Sequence, residues 1–353
     1  MTPQRPDWLT HPIVAPQAAA AAAAAAHQAQ LTKPAGSLGR LEQLAVAFAG
    51  FQGRVKPQLK RIRICLFAAD HGIAAQGTSA YPQEVTAQML ANFCRGGAAI
   101  SVLADSLGAD FRAVNLGCVA EVAAHEKLID KTIAPSTADF SYTAAMTAEQ
   151  LDAALNTGYS EGCNAAQTGC DLFIGGEMGI GNTTSAAALL AALFNRPAGD
   201  LTGQGTGIDQ STLQRKTELI DAALTRHRAQ LIHPAAILQY LGGFEIAALV
   251  GAYIGSAQQG VPVLVDGFIS SAAAAIAVAL QPALAPWLLY AHLSSEAGHK
   301  LVLQTLKVQP ILTLQMRLGE GSGAALAAGV IRQALALHNQ MATFADAGVS
   351  HAD

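Results

Sequence analysis

The chain has 353 residues, enough for about two domains or one large core with an appendage. Hydrophobic residues make up 51% and charged residues only 13%, which excludes a solvated, disordered chain. The net charge of −4 offers no basic excess, so neither nucleic acid nor an anionic membrane surface is expected as a partner.

The first residues contain Asp7 and several prolines and do not read as a signal peptide. The alanine run between Gln17 and His27 predicts a helix, because alanine is the best helix former. Gly36 to Leu41 separates it from an amphipathic helix over 41–51. Residues 62–69 then form a short, continuously apolar strand that ends in Asp70-His71-Gly72. The same grammar recurs at 110–116, 172–175, 261–265, 287–291 and 310–316, each run ending in glycine or polar residues. Helices follow several of them, one of which ends at Leu337. The stretch 261–280 comes nearest to a membrane span, but Asp266, Gly267, Ser270 and Ser271 split it into a strand and a buried helix.

Continuous apolar strands alternating with helices predict an α/β, Rossmann-like, doubly wound parallel sheet. Residues 1–58 read as part of a small helical domain, 59–335 as the catalytic α/β domain, and 336–353 as a C-terminal helical tail packing with the small domain. Five cysteines without a CxxC pair argue against a disulfide framework or zinc site and point to a reducing cytoplasm.

The polar clusters follow the strands, at the edge where open α/β sheets bind ligands. Asp70, Glu177, Asp266, Ser294 and Glu320 are therefore expected to converge. The loop from Gly176 through Glu177, Met178, Gly179, Ile180 and Gly181 to Asn182, Thr183 and Thr184 combines tight turns with a helix N-terminus. That pattern suits an anion, although an ordinary strand–helix turn would look the same. Gly203-Gln204-Gly205-Thr206-Gly207, followed by Lys216, reads either as a phosphate loop or as a flexible surface loop. In Arg317-Leu318-Gly319-Glu320-Gly321-Ser322-Gly323, a buried glutamate would serve as a general base. An ion pair between Arg317 and Glu320 would argue the other way. Asp70-His71 reads as a satisfied pair at a strand end, with catalysis the second option. His71, His292 and His299 have no metal-ligand spacing, so no metal is expected. No GxGxxG follows the first strand and no GxSxG is present, which disfavours a nicotinamide oxidoreductase and an α/β-hydrolase.

Taken together, six ordered segments resemble the nicotinate-nucleotide:dimethylbenzimidazole phosphoribosyltransferases. They are Lys33-Pro34-Ala35-Gly36-Ser37-Leu38-Gly39-Arg40-Leu41-Glu42, Ala69-Asp70-His71-Gly72, the Gly176–Thr184 loop, Gly242-Gly243-Phe244-Glu245, Leu264-Val265-Asp266-Gly267-Phe268, and Arg317 to Ala324. The resemblance covers about residues 30 to 340 and implies an enzyme of cobalamin lower-ligand synthesis. It would transfer phosphoribose from nicotinate mononucleotide to 5,6-dimethylbenzimidazole or a related base, giving α-ribazole 5′-phosphate and nicotinate. It also implies a homodimer without cofactor or metal. Glu320 becomes the base, and Glu177 supports an oxocarbenium-like transition state or binds ribose. Ser79, Tyr81 and Met89 are implied for the flat acceptor. Gly176, Met178, Gly179, Asn182, Thr183, Gly203, Gly205, Lys216, Ser294, Arg317 and Gly319 are implied for the remaining substrate contacts. Gln204 stands where many relatives are expected to carry a basic residue, and the alanine run lies outside the pattern. Phosphoribosyl transfer to another base, or hydrolysis of a nucleotide N-glycosidic bond, is the alternative. A non-catalytic nucleotide-binding protein would have lost the Glu320 motif, which is intact.

Overall fold

A computed structural model describes residues 6–205, 207 and 209–350; residues 1–5, Thr206, Ile208 and 351–353 lie outside the described residues. The strands are β1 (Ile62–Ala69), β2 (Asp110–Gly117), β3 (Leu128–Asp130), β4 (Leu172–Met178), β5 (Val263–Val265), β6 (Leu288–His292) and β7 (Pro310–Leu312). They form one all-parallel sheet in the order β3-β2-β1-β4-β5-β6-β7. The order reverses between β1 and β4, so the ligand crevice belongs at the carboxyl ends of those two strands.

Every residue of β1 is buried, as a strand covered on both faces requires. Its alternation divides two cores. Cys65, Phe67 and Ala69 face one, and Ile64, Leu66 and Ala68 face the other. Helices Ala148–Gln167, Asn182–Phe194, Phe244–Gln258 and Phe268–Leu280 cover the first face. Helices Arg40–Gln52, Glu84–Arg95, Ala99–Leu107 and Ser322–Gln340 cover the second. The alanine run forms the helix Ala18–Gln30, which packs on Arg40–Gln52. A single bridge between Leu31 and Thr343 ties it to the C-terminal segment. Among the described residues, no helix is long and apolar enough to cross a membrane.

β2, β5 and β6 shift by one or two residues at their ends, and three strands differ more from the sequence reading. β4 continues through Gly176 and Glu177 to Met178 instead of stopping at Gly175. β7 stops at Leu312, short of residue 316, because an edge strand has one neighbour and Gln315 turns left-handed at φ 57°. β3 is a three-residue edge strand that the sequence pattern does not reveal.

Helices Ala148–Gln167 and Phe244–Gln258 cross with their backbones almost touching. A Cβ on Gly158 would lie 1.8 Å from the Ala248 carbonyl oxygen, and one on Gly251 would lie 2.1 Å from that of Leu155. Gly162 and Gly255 extend the contact by one turn on each helix. Gly158→Ala should therefore lower stability by about 1–3 kcal/mol through overpacking. Gly329→Ala, in helix Ser322–Gln340 where a Cβ meets nothing within 4 Å, should raise it by roughly 0.5–1 kcal/mol. Urea unfolding of the two variants checks both signs.

Candidate active site

The carboxyl ends of β4, β5 and β6, the loop after β7 and the Tyr81 loop surround a cavity of about 480 Å³. That volume suits a small ligand. A larger cavity of about 860 Å³, at the start of β2, is lined by Arg95, Asp105, Asp110, Arg112 and Lys127. It lies at the opposite end of the strands, among mixed surface charges, and gathers none of the strand-end motifs.

At the end of β1, Asp70 is fully buried and structural. Its carboxylate accepts from Thr86 Oγ1 at 2.6 Å and from the Val119 N–H at 3.0 Å. Thr86 Oγ1 in turn accepts from the Ile180 N–H at 3.2 Å. Asp70 therefore anchors the β4 loop to helix Glu84–Arg95, and it does not join the cavity lining as its strand-end position suggested. His71 pairs with Glu245 and Ser185 instead of Asp70.

β4 carries Glu177 into the cavity wall. Asn182, the first residue of the next helix, donates to Glu177 Oε2. Burial pushes the Glu177 carboxyl well above its ordinary value, and the nearby carboxylates of Glu245, Asp266 and Glu320 push the same way. Met178, Gly179 and Thr183 line the same wall. Behind it, the fully buried Lys216 donates to Thr183 Oγ1 at 2.9 Å and to the Gly203 carbonyl at 3.2 Å. Burial pulls Lys216 down to about 8, against the favourable charge of Glu296. Thr183, Lys216 and the Gly203–Gly205 segment thus form one cluster beside a helix N-terminus, a setting for an anion.

At the end of β5, the Asp266 carboxylate accepts from the N–H groups of Gly321 at 3.2 Å and Ala324 at 2.7 Å, at the start of helix Ser322–Gln340. Burial pushes Asp266 up to about 7, opposed by these N–H donors. At the end of β6, His292 enters the lining with Nε2 3.7 Å from Asp266 Oδ1. Burial holds it below the ordinary histidine value. Ser294 lines the cavity, and its Oγ accepts from the Glu296 N–H at 3.3 Å.

The loop after β7 delivers Arg317, Leu318 and Gly319 to the lining. Arg317 donates to the Gly205 carbonyl at 3.0 Å and forms no ion pair with Glu320. Gly319, Glu320 and Gly321 are three successive left-handed residues, with φ of 83°, 65° and 88°. A glutamate in that region costs about 1–2 kcal/mol, so the surrounding structure must impose it. Its carbonyl packs over Gly176, where a Cβ would lie 2.2 Å from the oxygen. Gly176 therefore makes room for the Glu320 turn. The Glu320 carboxylate is buried and reaches the start of helix Ala99–Leu107, 3.4 Å from the Ile100 N–H. Burial raises its pKa, the Ile100 N–H opposes this, and Asp266 adds to the rise.

Of the acceptor residues, Tyr81 lines the cavity mouth and is 55% exposed, as is Leu318 at 56%. Ser79 accepts from the Tyr81 N–H within the same loop. Met89 is half-buried against the second core and lies outside the lining. The lining also includes Ile269 and Glu296, which the motif reading passed over, and Phe268, which it quoted without a role. All three closely follow strand ends, so the rule that pointed to Asp266 and Ser294 reaches them too.

A family profile described as phosphoribosyltransferase matches residues 13–349. The nicotinate-nucleotide–dimethylbenzimidazole phosphoribosyltransferase of Pseudomonas putida F1 is 53% identical over 94% of this chain and 95% of that protein. Its counterpart from Pseudomonas fluorescens SBW25 is 52% identical over 97% of this chain and 98% of that protein. The crystal structure of CobT from Thermus thermophilus superposes with a TM-score of 0.90 at 41% identity, covering 95% of this chain and 100% of that one. Near-complete coverage at this identity, on a cavity built from the matching motifs, places the chain in the nicotinate-nucleotide–dimethylbenzimidazole phosphoribosyltransferase family.

Proposed function

We propose that this chain transfers phosphoribose from nicotinate mononucleotide to 5,6-dimethylbenzimidazole, giving α-ribazole 5′-phosphate and nicotinate. The observation that carries the reading is Glu320: a buried carboxylate held in a left-handed turn next to Gly319 of the cavity lining, in a cavity that Thr183, bonded to the buried Lys216, also lines. Strain of this kind persists where function needs the geometry.

In the proposed reaction, Lys216, Thr183 and the start of helix Asn182–Phe194 hold the phosphate, with Ser294 and the Gly203–Gly205 segment closing around it. Tyr81 and Ser79 meet the acceptor base. Glu320 takes the N–H proton of the benzimidazole, and the other ring nitrogen attacks the ribose anomeric carbon. The bond to the pyridine nitrogen breaks, its electron pair stays on that nitrogen, and nicotinate leaves. Attack opposite the leaving group turns the β-nucleotide into an α-product. The transition state carries positive charge on the ribose, which Glu177 stabilises from the wall.

A homodimer in a reducing cytoplasm completes the proposal. It is supported by exposed apolar residues such as Tyr81, Leu314 and Leu318, and by five unpaired cysteines. The helical segments 1–58 and 336–353 are proposed to act together as the small domain.

Incubation with nicotinate mononucleotide and 5,6-dimethylbenzimidazole should yield α-ribazole 5′-phosphate, identified by mass and NMR. Ribose 5-phosphate in its place would sink the transfer reading. Glu320→Gln should lower kcat by roughly 10²–10⁴ with little change in KM. Because burial raises the Glu320 pKa, the acid limb of the wild-type profile should lie above the ordinary carboxylate range, and the variant should lose it. Lys216→Met should raise KM for nicotinate mononucleotide at least about tenfold, the loss of a charge-assisted hydrogen bond. Wild-type KM should rise as pH passes through about 8, where free Lys216 loses its proton, and the variant should not respond.

A further inference from the structure

Two segments of the family pattern, Asp70-His71-Gly72 and Gly242-Gly243-Phe244-Glu245, have no part in the reaction as proposed. They meet beneath the site. His71 and Glu245 are both fully buried, with His71 Nε2 2.7 Å from Glu245 Oε1. His71 Nδ1 lies 3.1 Å from Ser185 Oγ, which lies 3.1 Å from the Gly242 carbonyl oxygen.

These distances assign the protons. A carbonyl only accepts, so the one hydroxyl hydrogen of Ser185 goes to Gly242. Ser185 Oγ must then accept from His71 Nδ1–H. The remaining nitrogen, Nε2, faces the carboxylate with a single proton between them. Glu245 Oε2 is buried without a hydrogen-bond partner among the described residues, so the bond to His71 is what holds this carboxyl in place.

The imidazole is also a packing surface. A Cβ on Gly179 would lie 3.3 Å from the ring, and one on Gly243 would lie 2.2 Å from its Cε1. One on Gly181 would lie 3.0 Å from His71 Cβ. Gly179 and Gly181 sit in the turn between Glu177 and the Asn182 that donates to it. The Glu177 carboxylate is thus held at one end of a turn that rests on His71.

We propose that His71, Glu245 and Ser185 are positioning residues for Glu177: the locked imidazole seats the Met178–Gly181 turn that joins Glu177 to Asn182, without touching substrate. The inference rests on the proposed role of Glu177.

Glu245→Gln is the test. Its amide can donate to His71 Nε2, so the pair keeps its shape, but the proton shared with the carboxyl is gone and the bond that locks the ring is weakened. Plateau kcat should fall about tenfold, within the range that residues of one hydrogen-bond network couple. KM for nicotinate mononucleotide should stay within about twofold. In a Glu177→Gln background, the same substitution should leave kcat almost unchanged. Should Glu245→Gln not fold, Ser185→Ala keeps the His71–Glu245 bond and frees His71 Nδ1; its kcat loss should likewise vanish in the Glu177→Gln background. Losses that multiply in the double variant would overturn the inference and leave the role of Glu177 intact. Wild-type kcat for Glu177→Gln alone would overturn that role and the inference with it.

Discussion

The Asp266 carboxylate, at the end of β5, is the interaction on which the site depends. By accepting from Gly321 and Ala324 it fastens the start of helix Ser322–Gln340 to the middle of the sheet. The residue just before that helix turn is Glu320, whose left-handed backbone then lies over Gly176 of β4. One carboxylate thus fixes the depth of Glu320, the path of β4 and the wall carrying Glu177. Backbone N–H donors at a helix start suit a carboxylate on charge grounds, and here they offset the burial that opposes its ionisation.

The chain carries few charges and places several of them in its interior. A buried ion costs several kcal/mol unless partners compensate it. In one cluster away from the cavity, every charge has a partner. Arg63 on β1 pairs with Asp110 of β2 and with Glu161 of helix Ala148–Gln167, and the adjacent Cys65 thiol is pushed up to about 12. That cluster binds neighbouring elements and is chemically inert. At the carboxyl edge the compensation is partial. Lys216 is held by a hydroxyl and a carbonyl, and Glu177 faces other carboxylates. Groups left in that condition can change charge when an anion or a cationic transition state arrives.

Much of the architecture was legible because the strands are short and continuously apolar. β1 occupies the residues its pattern marks, and the helix after Asn182 follows its loop directly. The pattern failed where glycine had two meanings. Gly175 and Gly176 read as the end of β4, yet they lie within it. Gly175 leaves room for Leu249 and Tyr253, and Gly176 leaves room for the Glu320 turn. Periodicity also missed β3 and overran β7, since edge strands carry half the packing constraint of central ones.

By itself, the sequence determined the strand–helix alternation, the ordered motifs and hence the family, because local apolar runs and turn chemistry are written in adjacent residues. It also marked the strand ends as the place for Glu177, Ser294 and Glu320, since ligands gather where parallel strands stop. Tertiary structure alone decided that Asp70 anchors a loop and stays out of the cavity, that Arg317 bonds a carbonyl and leaves Glu320 unpaired, and that His71 meets Glu245 across 174 positions. The physical reason is common to all three. A polar side chain that is buried must find a partner, and which partner it finds depends on elements that only the folded sheet brings together.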